Sequence, residues 1–135
     1  MPAQSRWMIR CSLIYLLVGF VIGALLLSAK TYPALSQLWI LLPVHIEILI
    51  FGFIIQFTLG TAYWILPRFI KGKPRGNSGI AKLVVGSLNA GIFLNIMTFL
   101  NILPVQATIL GRSLEGAAVA LFVTLHWSRV VSYRN

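Results

Sequence analysis

Four apolar stretches, at about residues 11–29, 43–67, 80–102 and 107–130, take up most of a 135-residue chain. Each is near the ~20 residues that an α-helix needs to cross the ~30 Å hydrocarbon layer of a bilayer. Backbone N–H and C=O groups find no water there, so a spanning stretch must satisfy them within its own helix. The expected fold is therefore all-α, an integral membrane four-helix bundle forming one transmembrane domain over 1–135. Composition agrees: 10% of residues are charged, against ~25% in a soluble domain. The net charge of +9 does not indicate nucleic acid, because the basic residues stand at span ends rather than on one soluble face. Cys11 is the single cysteine, which excludes an intrachain disulfide and a cysteine-held iron–sulfur centre.

Basic residues set the expected orientation. With the N-terminus inside, Arg6, Arg10, Arg68, Lys71, Lys73, Arg75, Lys82, Arg129 and Arg134 are cytoplasmic, and only Lys30 and Arg112 face the other way. The positive-inside rule then gives an N-in/C-in protein of a bacterial-type inner (cytoplasmic) membrane. Residues 1–10 read as a short polar head. The run after it is longer than the ~7–15-residue apolar core of a signal peptide, so it is taken as a first span. Lys30–Leu42 reads as a loop with Tyr32 and Trp39 at the membrane interface. The basic loop carrying Arg68, Lys71, Lys73 and Arg75 is mainly topogenic, with contact to anionic lipid or a partner as its second use.

Polar residues inside the spans mark the candidate sites, since ionisable groups in a membrane usually turn inward. At 100° per residue, His45, Gly52, Gln56 and Tyr63 share one face of the second span. Glu47 falls on the opposite face with Ile54, Thr58 and Thr61. Glu47 and Glu115 are the only acids, and Arg112 lies in the same layer toward the outer side. Two readings stay open: a polar cluster that shapes a quinol site or relays protons, or an Arg112–Glu115 pair within one helix with Glu47 reaching the headgroups. Gly19 and Gly23 form a GxxxG pair, and Gly52, Gln56 and Gly116 are further helix-packing candidates. Asn89, Asn95 and Asn101 rotate away from one another and are expected to make separate interhelical hydrogen bonds. His126, beside Trp127 and Arg129, reads as interfacial, and Glu115, Phe122 and His126 as a packing seam.

The second span carries a resemblance. Pro43-Val44-His45, then Phe51-Gly52-Phe53, then Tyr63-Trp64 and Arg68, is similar to the second transmembrane helix of haem–copper oxidase subunit I. The cbb-type and nitric-oxide-reductase-like branch is the nearest pattern. The resemblance implies a low-spin haem b ligand at the matching position, His45, and a fold like the first helices of that subunit; the other reading of His45 is a hydrogen bond to a neighbour, a relic of that ancestry. It covers about 27 residues. The chain offers about four spans where the family's catalytic subunit has about twelve, and the copper-ligand histidines have no counterpart. The expected function is thus a non-catalytic membrane subunit of a respiratory or photosynthetic electron-transfer complex, packed against larger membrane subunits and lipids with a quinone nearby. Such a host is a quinol-oxidising assembly of the alternative complex III kind, or a terminal oxidase. No cofactor is expected in the chain alone. The alternative is a small haem-b carrier in which His45 shares the haem with a ligand from a partner chain.

Overall fold

The computed structural model describes residues 1–69 and 75–131. Among them, four helices are long and apolar enough to cross a membrane: α1 (Ala3–Thr31), α2 (Pro33–Ile65), α3 (Ser78–Phe99) and α4 (Ala107–Val131). No strand occurs among the described residues. This is the make-up of a multi-pass membrane protein.

The first helix begins at Ala3, so the polar head expected at residues 1–10 is helical instead. Ser5 and Met8 are buried there, and the Ser5 hydroxyl donates to the Gly60 carbonyl of α2. Arg6 and Arg10, four residues apart, share an exposed face. One helical stripe thus packs while the opposite one stays charged.

The expected loop at Lys30–Leu42 is also corrected. Pro33–Leu41 is 3-10 helix and runs directly into α-helix at Leu42–Glu47. Proline fits the first turn of a helix, where its missing N–H would have no partner. A π-helical segment, Ile48–Ile55, follows before α-helix resumes at Gln56–Ile65.

That segment changes which side chains share a face. A π turn closes i→i+5 and so holds more residues than an α turn. Glu47 is 1% exposed, whereas Ile54, its expected face-mate, is 54% exposed and Thr58 is exposed as well. Thr58 and Thr61 donate to the carbonyls of Ile54 and Phe57 at 2.7 and 2.8 Å, which leaves no unmet hydroxyl facing lipid.

Hydrophobic burial does not drive helices together in lipid, so close approach and interhelical hydrogen bonds must. In the α3–α4 hairpin, a Cβ on Gly91 would stand 2.7 Å from the Gly111 carbonyl oxygen. Between α1 and α2, a Cβ on Gly52 would stand 2.6 Å from the Tyr15 ring. Tyr15 in turn donates to Asn89 Oδ1 of α3 at 3.0 Å. The core below these contacts holds Met8, Leu59, Tyr63, Val84, Leu88, Ile92 and Phe122.

Helix ends follow local chemistry. Asn77 caps α3 by accepting from Gly79 N–H at 2.8 Å. At its other end Asn101 takes φ 58°, with Asn101 N–H bonded to Thr98 O and Ile102 N–H to Met97 O. That is a Schellman ending, so Asn101 terminates α3 rather than bonding across helices.

Candidate functional site

Glu47 reaches the site from α2 just ahead of the π turn, Asn95 from α3, and Arg112 and Glu115 from the first turns of α4. Arg112 Nη2 donates to Glu47 Oε2 at 2.7 Å, and Nη1 donates to Glu115 Oε2 at 2.7 Å and Glu47 Oε1 at 3.2 Å. Asn95 Nδ2 donates to Glu115 Oε1 at 2.9 Å and Glu47 Oε1 at 3.1 Å. Each of the four carboxylate oxygens therefore has a donor. Arg112 closes the cluster from a side that stays 41% exposed, its guanidinium 4.7 Å above the Phe51 ring.

Glu47 thus lies inside the protein and binds Arg112 through both oxygens, which replaces the reading in which it reaches the headgroups. Asn95 joins three residues that sequence reasoning had placed in one layer. Its signal was the pairing of Gly91-x3-Asn95 with Gly111-x3-Glu115, which sets a glycine one turn from each polar group. A Cβ on Gly91 would stand 2.8 Å from Glu115 Cγ, and one on Gly111 would collide with the Asn95 carboxamide. Both glycines are needed for the seam to hold these side chains. Two carboxylates against one guanidinium leave the cluster one positive charge short of neutral. A single proton or an external cation completes it.

His45 is half-buried two residues before Glu47 but faces α1. Its Nδ1 lies 2.9 Å from the Gly19 carbonyl oxygen. A carbonyl only accepts, so Nδ1 carries the hydrogen, and in the neutral ring the lone pair is at Nε2. Gly23 makes room for the ring, since a Cβ there would stand 2.8 Å from His45 Cε1. Backbone anchoring of one imidazole nitrogen is how metal-binding histidines are oriented through the other. An imidazole held in this way has one nitrogen left with which it could meet a metal. Among the described residues no three of His, Cys, Asp or Glu converge to hold a metal ion.

Gly19, Gly23 and Gly52 all stand at the α1–α2 contact, and Gln56 is buried there with Nε2 3.5 Å from Met8 O. Gly116 faces away, with nothing within 4 Å of its added Cβ. In the small-residue patch after Glu115, only Ala118 is buried.

The opposite end of α2 meets a second polar group. His126, expected among interfacial residues, is buried in protein, stacked on Phe122 at 4.0 Å and edge-on to Tyr63 at 5.4 Å. Arg129 Nε and Nη2 donate to the carbonyls of Pro67 and Leu66 at 2.7 and 2.5 Å. Of the expected basic loop, Arg68 is exposed and Arg75 half-buried, while Lys71 and Lys73 lie outside the described residues. No protein-family model, curated protein or solved structure matches the chain.

Proposed function

We propose that the chain is a non-catalytic membrane subunit of a respiratory or photosynthetic electron-transfer complex, either a quinol-oxidising assembly or a terminal oxidase. Its membrane is of the bacterial inner type, with both chain ends cytoplasmic. The observation that carries this reading is the setting of His45, with Nδ1 tied to Gly19 and Nε2 left without a hydrogen bond. It stands within the stretch that resembles oxidase subunit I. A haem b bound there would supply one-electron transfer. The protein's part is to fix the imidazole through Gly19 and Gly23 and to exclude bulk from the α1–α2 seam. A second ligand for that haem would come from a partner. His126, the other histidine, packs against Tyr63, which lies roughly 27 Å along α2 from His45 at 1.5 Å per residue. Axial nitrogens of one iron stand only about 4 Å apart, given metal–imidazole bonds of ~2 Å. The exposed apolar side chains of α1, Leu13, Leu17 and Phe20 among them, suit lipid or a larger subunit.

Two measurements bear on this reading. In a pyridine haemochrome assay the isolated chain is expected to lack stoichiometric low-spin haem, while the chain co-purifies with larger redox subunits identified by mass spectrometry. Stoichiometric haem in the monomer, lost in His45→Ala, would instead establish the small haem-b carrier. A monomer made in undiminished yield without partners, and without haem, would remove both. For orientation, Gly76→Cys in a Cys11→Ser background is expected to resist an impermeant maleimide applied to intact cells. Labelling from outside reverses the topology.

A further inference from the structure

The end of the bundle away from Glu47 gathers nitrogen atoms that lack partners. Arg129 is 2% exposed, and two of its nitrogens donate to Leu66 and Pro67, carbonyls left over past the last turn of α2. Its Nη1 is buried and has no partner among the described residues. Arg75 Nε is likewise buried without a partner. His126 is 4% exposed, gives Nδ1 to the Phe122 carbonyl, and leaves Nε2 unpartnered. Arg129 and His126 meet on Tyr63, the guanidinium 5.9 Å and the imidazole 5.4 Å from its ring. Gly76 sits against Leu125, one turn before Arg129, which keeps Arg75 at this end.

Nothing acidic in the chain's side chains can answer the two arginines. Glu47 and Glu115 are the only Asp or Glu residues, and both are held by Arg112 and Asn95. Beside His126 an apolar groove of about 330 Å³ opens between Leu66, Phe122, Trp127 and Val130.

We propose that Arg129 Nη1 and Arg75 Nε form a binding site for a phosphate group. Arginine donors are matched to phosphate oxygens, and donors arriving from separate elements suit a tetrahedral anion better than the two coplanar oxygens of a carboxylate. Where the phosphate belongs to a lipid, the groove takes an acyl chain and the anionic headgroup meets the basic end of the bundle.

Native mass spectrometry of the purified full chain, in uncharged detergent with phosphatidylglycerol or phosphatidylcholine added, tests this. A parallel thermal unfolding series uses inorganic phosphate. Arg75→Gln leaves the Arg129–carbonyl bonds intact and is the principal variant, and Arg68→Gln removes the same charge from an exposed position. One phosphatidylglycerol per chain is expected, with retention weakened about tenfold or more in Arg75→Gln, the scale of one lost charged hydrogen bond. Arg68→Gln is expected to retain it. That pattern assigns the site to a lipid. A phosphate-dependent rise in Tm that Arg75→Gln abolishes, without lipid preference, assigns it to free phosphate. If wild type and Arg75→Gln behave alike toward both probes, or if Arg68→Gln matches Arg75→Gln, the proposal is overturned.

Discussion

Arg112→Ala is expected to lower the stability of the detergent-solubilised chain by about 3 kcal/mol, the low end of the ~3–5 kcal/mol seen when one member of a buried ion pair is removed. The substitution leaves Glu47 and Glu115 buried with one amide, that of Asn95, as their remaining donor. The loss comes from stranding charge rather than from deleting attraction. The 41% exposure of Arg112 is the reason for choosing the low end, since its surroundings screen part of the interaction. Adding Glu47→Gln and Glu115→Gln to Arg112→Ala should recover most of the loss, because the carboxylates are then neutral. Equilibrium unfolding in mixed micelles reads both. A loss below about 1 kcal/mol in the single variant would mean that the cluster is no more than a surface pair.

Gly91→Val is expected to be at least as damaging. Overpacking usually costs about 1–3 kcal/mol because flexible side chains give way. At Gly91 the first obstacle is the Gly111 carbonyl oxygen, 2.7 Å from the added Cβ, and the second is Glu115 Cγ at 2.8 Å. Neither can move without parting α3 from α4 and pulling Glu115 off Arg112. Folded yield by size-exclusion chromatography should collapse. Gly116→Val is the matched control on α4, where an added Cβ meets nothing within the chain. It should leave folded yield intact. A collapse of both, or of neither, contradicts the packing described for this hairpin.

The four apolar helices could be read from hydropathy because lipid permits few alternatives to a helix. The common layer of Glu47, Arg112 and Glu115 followed from their positions in the apolar runs. What remained hidden has identifiable causes. Pro33 and the aromatic residues after Lys30 looked like a loop because proline is a breaker inside a helix, yet at a first turn it is tolerated. Ile54 and Thr58 depart from the face of Glu47 because 100° per residue does not hold through Ile48–Ile55, where the winding is wider. Asn95 was set among three similar asparagines, and two of their duties depend on neighbours far away in sequence, Tyr15 for Asn89 and Glu47 for Asn95, while Asn101 ends its own helix. Arg129 and His126 looked interfacial by composition. Their burial depends on where the chain leaves α2, at Leu66 and Pro67, which no periodicity records.

The wide turn at Ile48–Ile55 also governs which changes of length α2 can absorb. Excising one residue from it would let the helix close as a uniform α-helix and swing one half about 100° against the other. If the half bearing His45 and Glu47 kept its place, Gln56 would leave Met8 and Gly60 would leave Ser5. If the other half held, Glu47 would turn away from Arg112 and His45 from Gly19. A point substitution elsewhere in the helix harms one end alone, whereas a deletion here forces the molecule to forfeit one end to keep the other. Over evolutionary time this segment should accept exchanges of residue freely and gaps hardly at all.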